Sequence, residues 1–295
     1  MRALRIHGYG GPEVMQLEDA GIPREKDGRI LLKVRAASVN PIDWKMRRGM
    51  LSAMFPLTFP RTLGRDCAGE ADGRLFAGVA DMRTDGTHAE FALLPRNQMA
   101  PVPQGLEAAA AASLCVAGLS AYIPLVELVS LNKNSKVLIH AGAGGVGSLA
   151  IQIARHLGAE VTATASAANR EFCLSLGASR VADLRNENIK ADVFDVVLDT
   201  LGGETHLKSL QLLKPGGILL ALAAAPIPPG AARADVRVVK AQILPTPQRL
   251  ERIFQWAASG VLRPQVTRRF SLEEGKAAYA ASETGHGRGK IVLEL

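Results

Sequence analysis

The stretch 136–165 constrains the fold more than any other part of the sequence, because it joins two short apolar runs through a glycine-rich turn. Residues 137–141 are mostly apolar, as expected of a parallel strand buried on both faces, and lead directly into the pattern G-x-G-x-x-G. Residues 148–156 carry apolar side chains at helical spacing, and 161–165 form the next apolar run. The sequence therefore predicts a strand, a turn, a helix and a second strand in immediate succession.

Three glycines of this turn stand at positions where a physical reason favours glycine. Gly142 lets the chain turn sharply off the strand, Gly144 leaves room for a phosphate against the backbone, and Gly147 lets helix and strand pack closely. Such turns are common without a ligand, but here the turn lies between a strand and a helix whose free N–H groups and dipole attract anions. We therefore predict a dinucleotide-binding turn formed by Gly142, Gly144, Gly145, Val146 and Gly147.

The end of the second strand distinguishes NAD from NADP sites. NAD sites usually have an acidic residue there, which binds the ribose 2′-hydroxyl. This chain has Ser166 instead, followed by Asn169 and Arg170, and hydroxyl and guanidinium donors suit a 2′-phosphate. Ser166 can equally cap the helix that follows, and Arg170 can be solvated surface. The two interpretations are compatible, and the pattern favours NADPH over NADH.

Composition and charge disfavour several other classes of protein. The chain has 295 residues, enough for two domains, of which 47% are hydrophobic and 21% charged. Its net charge of +7 comes from scattered lysines and arginines, which gives little support to nucleic-acid binding. The most apolar stretch, 108–129, is predicted to be a helix of a soluble protein and not a membrane span. Three widely spaced cysteines, Cys67, Cys115 and Cys173, predict no disulfide framework and favour a reducing cytoplasm.

The order of predicted elements indicates two kinds of architecture in one chain. Residues 1–94 are predicted to be rich in strands. Two helices are predicted at 106–113 and 119–131, and from 136 to 223 strands and helices alternate, which indicates a doubly wound parallel sheet. A helix at 247–259 and a final strand at 290–295 follow.

Several motifs along the chain carry a family resemblance. They are, in order, MRALRIHGYGGPEVMQLED, VNPIDWKMRRG, FPRTLGRDCAGE, AGLSAY, HAGAGGVGSLAIQIARHLGA, DVVLDTLGGET, LLKPGGILL and GHGRGKIVLEL. Together they resemble the zinc-independent branch of the medium-chain dehydrogenase/reductase superfamily, and within it the NADPH:quinone oxidoreductase or zeta-crystallin-like family. The resemblance covers nearly the whole chain in collinear order. It implies a homodimer that transfers a hydride from NADPH to quinones or other α,β-unsaturated carbonyls.

On this resemblance we predict an α/β protein in which a Rossmann doubly wound parallel sheet is joined to a β-rich GroES-like domain. The Rossmann domain is predicted at 117–261, and the GroES-like substrate domain comprises 1–116 and 262–295. The latter is shortened near 71–86, where the family normally carries a longer β-stretch. The ligand cleft is expected between the two domains.

Two alternatives for the function remain open at this point. The shortened segment is compatible with a non-catalytic NADPH-binding protein whose substrate domain has eroded. A Rossmann-like methyltransferase shares the glycine turn, the acidic strand end at Asp199 and the LLKPGGILL motif. Ser166 disfavours a methyltransferase, because S-adenosylmethionine sites require an acidic residue at that position.

The resemblance also implies that no zinc is bound. Zinc-dependent relatives have a cysteine where Asn40 stands, and a glycine, a histidine and a glutamate where this chain has Gly64, Arg65 and Asp66. These replacements remove a thiolate and an imidazole, so no adequate ligand set remains. Cys115 lies near a position that supplies another ligand, but it is more simply interpreted as a buried small side chain.

The remaining candidate site residues follow from the same resemblance. Asn40 and Asp43 occupy the NP-x-D position near nicotinamide and substrate and are the predicted catalytic residues, although both can equally be turn and cap residues. Ser120 matches a position that usually carries a hydroxyl beside the nicotinamide. Thr200, after the strand 195–199, and Lys290, at the start of the final strand, are also assigned to the cofactor site.

Two further positions bear on the cofactor site. His140 precedes the glycine turn and is interpreted as a hydrogen-bonding residue at a strand end and not as a catalytic residue. Leu184 stands where several relatives have a tyrosine that packs beside the 2′-phosphate, so that contact is not expected here.

Overall fold

Two structural units make up the chain. The first comprises Met1–Leu119, Pro245–Gly260 and Pro264–Leu295, and the second comprises Ser120–Leu244 and Val261–Arg263. The computed structural model describes residues 1–25, 28–183, 187, 189–222, 228, 232–285 and 287–295.

The strands and helices follow one another along the chain as β1 (Arg2–Ile6), β2 (Met15–Asp19), β3 (Arg29–Val39), α1 (Pro41–Arg47), β4 (Arg61–Thr62), β5 (Asp66–Ala71), β6 (Arg74–Val79), β7 (Phe91–Pro95), β8 (Met99–Pro101), α2 (Ala108–Tyr122), β9 (Lys136–Ile139), α3 (Gly145–His156), β10 (Glu160–Thr164), α4 (Arg170–Ser175), β11 (Arg180–Ala182), β12 (Phe194–Asp199), α5 (Glu204–Leu212), β13 (Leu213–Ala221), β14 (Arg237–Lys240), α6 (Pro247–Ala258), β15 (Val266–Ser271), α7 (Gly275–Glu283) and β16 (Lys290–Glu294).

The six-stranded sheet of the second unit has the order β11-β10-β9-β12-β13-β14, and all of its strand pairs are parallel. Numbered from β9, this is the order 3-2-1-4-5-6 of the Rossmann fold. Its central strands read as nearly continuous apolar runs because parallel sheets are covered on both faces. Leu138, Val197 and Leu219 from three of them lie in one core cluster. The predicted doubly wound parallel sheet is confirmed.

The first unit is rich in strands, as predicted. A three-stranded sheet has the order β2-β1-β4, and a seven-stranded sheet has the order β15-β16-β3-β5-β6-β8, with β7 also paired to β3. Leu4, Met15 and Tyr279 belong to the apolar core of this unit. Arg47 of α1 is fully buried and donates from Nη2 to Glu283 Oε1 of α7 at 2.9 Å. This ion pair fixes α1, which carries the NP-x-D motif, against α7.

β5 and β6 form a hairpin that a two-residue turn closes. Asp72 and Gly73 occupy the turn with φ angles of 50° and 70°, and an Asp-Gly pair with two positive φ angles is the type I′ turn that suits the twist of a hairpin. The two strands pair along their whole length without a register shift. Part of the segment predicted to be shortened, 71–86, is therefore a regular hairpin. Its shortening relative to the family stays a prediction.

The predicted division of residues 106–131 into two helices is wrong. One continuous helix, α2, replaces the predicted pair. Gly118 lies inside it, where glycine weakens a helix by about 1 kcal/mol relative to alanine. The missing side chain allows close packing, since an added Cβ at Gly118 would lie only 3.0 Å from Ile253 Cγ2 of α6. Tertiary packing thus keeps this glycine helical.

α6 departs from the predicted domain bounds. It lies in the segment Pro245–Gly260, which belongs to the first unit and not, as predicted, to a Rossmann domain at 117–261. Its buried face includes Ile253, which packs against Gly118 of the same unit. The order of elements could not reveal this, because α6 follows the strands of the parallel sheet directly in the sequence.

Among the described residues, the helical stretch Ala108–Glu127 is the one candidate that is long and apolar enough to cross a membrane. In its most apolar window, 78% of the residues are buried inside the protein. A helix that is apolar all round and covered by its own chain is a core helix.

Gly73→Ala is expected to lower the stability of the protein by about 1–2 kcal/mol, because a Cβ is disfavoured in the left-handed region. No atom lies within 4 Å of the added Cβ, so backbone strain is the main change. Gly21→Ala is the matched control, since its Cβ also meets nothing within 4 Å and its φ lies outside the left-handed region. The midpoints of thermal unfolding measure the difference, and equal midpoints for the two variants would contradict the turn geometry.

Candidate active site

The glycine turn between β9 and α3 is closely packed at two of its glycines. An added Cβ at Gly142 would lie 2.7 Å from Ala163 Cβ, and one at Gly147 would lie 2.2 Å from Ala141 O. The sharp turn predicted for Gly142 occurs one residue earlier, at Ala141, whose φ is 50°. Gly142 is required instead because the neighbouring strand β10 is too close for a side chain. Gly147 agrees with its predicted role in helix–strand packing.

Gly144 is less crowded than these two glycines. The one atom within 4 Å of an added Cβ is Ala141 O at 3.3 Å, which is a tight contact but not the clash found at Gly142 and Gly147. α3 begins at Gly145, and the first N–H groups of a helix have no acceptor within it. In the described part of the chain no other group accepts from the N–H groups of Gly145 and Val146. Free N–H groups at the start of a helix, with no side chain at the preceding Gly144, fit the diphosphate of NADPH.

Ser166 and Arg170 lie just beyond the end of β10, where an NAD site would have an acid. Ser166 occupies an N-cap position, but its side chain makes no hydrogen bond to the following backbone. Its Oγ instead accepts from Asn169 Nδ2 at 3.3 Å. Arg170 is exposed, and its Nη1 donates to Val181 O at 3.0 Å. A hydroxyl and a guanidinium at this strand end are compatible with the 2′-phosphate of NADPH.

His140 links three elements at the carboxyl ends of the parallel strands. Its Nδ1 lies 3.2 Å from Thr164 Oγ1 of β10, and its Nε2 lies 2.9 Å from Ser209 Oγ of α5. Ser209 Oγ already donates to Thr205 O, so His140 Nε2 is the donor to Ser209 and Nδ1 is the acceptor from Thr164. Burial lowers the pKa of His140 to about 4, and the ring is neutral at pH 7. Thr200 Oγ1 donates to His140 O at 3.1 Å, which places Thr200 at the same sheet edge.

In the first unit, the buried carboxylate of Asp66 accepts hydrogen bonds from several polar groups. Its Oδ1 accepts from Ser38 Oγ at 2.6 Å and from Asn40 Nδ2 at 2.8 Å, and its Oδ2 accepts from Val116 N at 2.8 Å. Asp66 is 0% exposed, and a buried carboxylate is stable only when it is hydrogen-bonded or paired. The sequence pattern indicated Asp66 only as a replacement for a zinc ligand and missed this role. A signal existed in Ser38 and Asn40, two polar residues with the spacing of one strand face at the end of an apolar strand.

Lys290 lies in the same cluster. Its Nζ donates to Asn40 Oδ1 at 2.6 Å and to Val39 O at 3.2 Å. Burial lowers the pKa of Lys290, whereas the carboxylates of Asp66 and Asp43 raise it. The structure thus brings Lys290, which the resemblance assigned to the cofactor, directly to the candidate catalytic Asn40.

Asp43 serves as a cap residue and is also a titratable group at neutral pH. Its Oδ2 accepts from Asn40 N at 2.7 Å, which satisfies a backbone donor at the start of α1. Its Oδ1 is buried and has no hydrogen-bond partner among the described residues. Burial raises the pKa of Asp43 to about 7, and the charge of Asp66 adds to this, although the Asn40 N–H lowers it.

Asn40 and Arg65, which the resemblance placed at zinc-ligand positions, are engaged in hydrogen bonds within the protein. Asn40 is bonded to Asp66 and Lys290, and Arg65 donates from Nη1 to Ala80 O. Cys115 is fully buried, and burial raises the pKa of its thiol well above the usual range. Within the described ranges, no group of three or more His, Cys, Asp or Glu side chains is placed to hold a metal ion.

The predicted site residues thus fall into two groups. Asn40, Asp43 and Lys290 lie together in the first unit. The second unit contains the glycine turn and the remaining cofactor candidates, namely Ser120, buried on α2, together with Ser166, Arg170 and Thr200. Leu184 lies outside the described residues.

The raised pKa of Asp43 predicts a pH dependence of stability. Between the ordinary value of 3.8 and about 7 the folded state keeps a proton that the unfolded chain has released, so the unfolding free energy falls as pH rises. One such group contributes a slope of up to about 1.4 kcal/mol per pH unit. Asp43→Asn should remove this slope, whereas Asp72→Asn in the exposed turn should not. Denaturant unfolding of both variants and the wild type at pH 4.5, 6 and 8 measures it, and parallel profiles for Asp43→Asn and the wild type would contradict the assignment.

Comparison with known proteins identifies the family of the chain. A family model described as an alcohol dehydrogenase GroES-like domain matches residues 26–73, and one described as a zinc-binding dehydrogenase matches residues 176–293. The first match lies within the segment 1–116 predicted to be GroES-like, and the second runs across the predicted boundary between 261 and 262. The methyltransferase alternative is therefore not supported.

Three similar proteins extend this result to the whole chain. The chloroplastic NADPH-dependent alkenal/one oxidoreductase of Arabidopsis thaliana is 33% identical over 319 aligned residues, covering 99% of this chain and 79% of the relative. The 2-methylene-furan-3-one reductase of Solanum lycopersicum is 32% identical over 320, with the same coverage. The quinone oxidoreductase structure from Coxiella burnetii has a TM-score of 0.90 and 30% identity, covering 100% of this chain and 99% of that one. This chain therefore belongs to the zinc-independent branch of the medium-chain dehydrogenase/reductase superfamily, among its quinone and enone oxidoreductases.

Proposed function

We propose that this protein is an NADPH-dependent oxidoreductase that transfers a hydride to quinones or other α,β-unsaturated carbonyls without zinc. The observation that carries the proposal is the start of α3, where the N–H groups of Gly145 and Val146 have no acceptor among the described residues, together with Ser166 in place of an acid at the end of β10. The names of the similar proteins support the substrate class, since they include an alkenal/one oxidoreductase and a quinone oxidoreductase.

Different residues of the second unit are proposed to bind different parts of the cofactor. The N–H groups of Gly145 and Val146 would hold the diphosphate, and Ser166 and Arg170 would hold the 2′-phosphate. When NADPH is bound, its nicotinamide ring supplies the hydride. Ser120 and Thr200 are proposed to contact the nicotinamide half.

The residues of the first unit are proposed to act on the substrate side. Asn40 is held in one orientation by Asp66 and Lys290. Asp43 has a pKa of about 7, so at neutral pH its carboxyl exists in both protonation states and can hold or release a proton. A reduced enone or quinone needs such a proton.

The test is an acceptor panel with the purified protein. Simple quinones and α,β-unsaturated ketones are offered with NADPH or with NADH, and the absorbance of the nicotinamide is followed. We expect turnover of at least one quinone or enone with NADPH, slower turnover with NADH, and none with the matching saturated ketone. Tight NADPH binding without turnover of any acceptor would instead identify a non-catalytic NADPH-binding protein.

The proposal includes a homodimer in a reducing cytoplasm. Cys67, Cys115 and Cys173 form no disulfide and are buried, which suits a reducing compartment. The homodimer rests on the family resemblance alone. Sedimentation equilibrium tests it, and the mass of a single chain at micromolar concentration would contradict it.

Gly144→Ala is expected to weaken NADPH binding roughly tenfold or more and to lower stability much less than Gly147→Ala does. The added methyl would occupy the space proposed for the diphosphate, whereas its nearest protein atom is 3.3 Å away. Gly147→Ala is the matched comparison and should unfold at a lower temperature, because its Cβ would lie 2.2 Å from Ala141 O. Fluorescence titration and thermal unfolding separate the two effects. Unchanged NADPH affinity in Gly144→Ala would refute the placement of the diphosphate.

Ser166→Asp is expected to weaken NADPH binding by roughly tenfold or more and to leave NADH binding unchanged or stronger. A carboxylate would repel the 2′-phosphate but can accept a hydrogen bond from the 2′-hydroxyl of NADH. Ser179→Asp adds the same charge at an exposed position before β11 and is the control. The ratio of the two dissociation constants is the readout. A ratio that matches the control would show that Ser166 does not contact this part of the cofactor.

A further inference from the structure

Lys290 is held by contacts within its own unit. It begins β16, its backbone N donates to Gln265 O at 2.7 Å, and its side chain reaches across to the end of β3. There Nζ donates to Val39 O at 3.2 Å and to Asn40 Oδ1 at 2.6 Å. Lys290 is only 6% exposed, so its ammonium is largely out of water. Two of its three donors are therefore committed to the protein.

These contacts determine the orientation of the Asn40 amide. Asn40 Oδ1 faces the ammonium, and Nδ2 faces Asp66 Oδ1 at 2.8 Å, with Ser38 Oγ and Ser38 O both at 3.3 Å. Rotation of the amide by half a turn would place its NH₂ against the ammonium and its oxygen against the Asp66 carboxylate. Both contacts would then be repulsive, so the amide has one orientation as long as Lys290 is present.

The ammonium also balances the buried negative charge. Asp66 is 0% exposed and Asp43 is 1% exposed, and both carboxylates interact electrostatically with Lys290. Removing one partner from a buried charge cluster leaves the others uncompensated. Lys290 therefore affects both the orientation of Asn40 and the charge state around Asp43.

The family resemblance assigned Lys290 to the cofactor. We propose instead that Lys290 is a positioning residue for Asn40 in catalysis and not a ligand of the cofactor. This inference rests on the proposed function, because it assigns Asn40 to the substrate side of the reaction. Lys290 acts through Asn40: it holds the amide in the orientation in which Asp66 also binds it.

Lys290→Met removes the donor and keeps the length of the side chain. We expect kcat to fall roughly tenfold or more, the change expected when a buried polar group loses its partner, and the NADPH dissociation constant to stay within about twofold. Lys290→Arg, which keeps a charged donor, should recover part of kcat. Lys33→Met, at an exposed position on β3, is the matched control and should leave both quantities unchanged. A weaker NADPH affinity with kcat unchanged would overturn the proposal in favour of a cofactor ligand.

A double-mutant cycle with Asn40→Ala tests whether Lys290 acts through Asn40. In the Asn40→Ala background, Lys290→Met should reduce kcat by less than about twofold further, because the amide to be positioned is gone. Full additivity of the two losses would overturn the proposal. If Lys290→Met alone does not fold, Lys290→Arg replaces it, because it keeps the charge but moves the donor. A fall in kcat with unchanged NADPH affinity is then expected, and a weaker NADPH affinity with unchanged kcat would overturn the proposal.

Failure of the proposed function can be distinguished from failure of this inference. If the wild type turns over no quinone or enone, the free energies of unfolding of the same variants are measured with denaturant instead of kcat. A large coupling between the stability losses of Lys290→Met and Asn40→Ala would still support the contact between them, whereas additive losses would overturn it.

Discussion

The buried carboxylate of Asp66 is the constraint on which the first unit depends. A carboxylate out of water must be hydrogen-bonded or paired, and Asp66 meets this requirement with three donors from two separate segments: Ser38 and Asn40 at the end of β3, and the backbone N–H of Val116 in α2. Elements far apart in sequence are thus tied to one group. Lys290 completes the arrangement from β16 by binding the other end of the Asn40 amide. The NP-x-D motif is therefore placed by charge balance as well as by apolar packing.

In the second unit, neutral side chains satisfy the buried polar groups at the ends of β9 and β10. His140, Thr164 and Ser209 form a chain of hydrogen bonds across the ends of β9 and β10 to α5, and every donor in this chain has a defined acceptor. Burial keeps His140 neutral, which is consistent with its position beneath a turn that must attract an anion with backbone N–H groups. Among the described residues, the N–H groups of Gly145 and Val146 at the start of α3 have no acceptor within the protein.

The hairpin of β5 and β6 shows how a short segment can keep a sheet intact. Asp72 and Gly73 reverse the chain in two residues, so β6 can pair with β5 on one side and with β8 on the other. The alignments with the two plant relatives are longer than the 295 residues of this chain, so those proteins carry segments that this chain lacks. The shortening predicted near 71–86 would leave this sheet complete, because pairing depends on the strands and not on the length of the loops.

The sequence by itself determined the parallel sheet and the glycine turn, because strand, turn and helix are contiguous and their periodicities are local. It also indicated the family, since the motifs follow one another in the chain. Tertiary structure alone decided the continuity of α2 through Gly118, the unit to which α6 belongs, and the residue of the turn that takes the positive φ, because each depends on how closely another segment approaches. It also decided the environment of Asn40, because Asp66 and Lys290 reach it from distant strands that no local pattern connects.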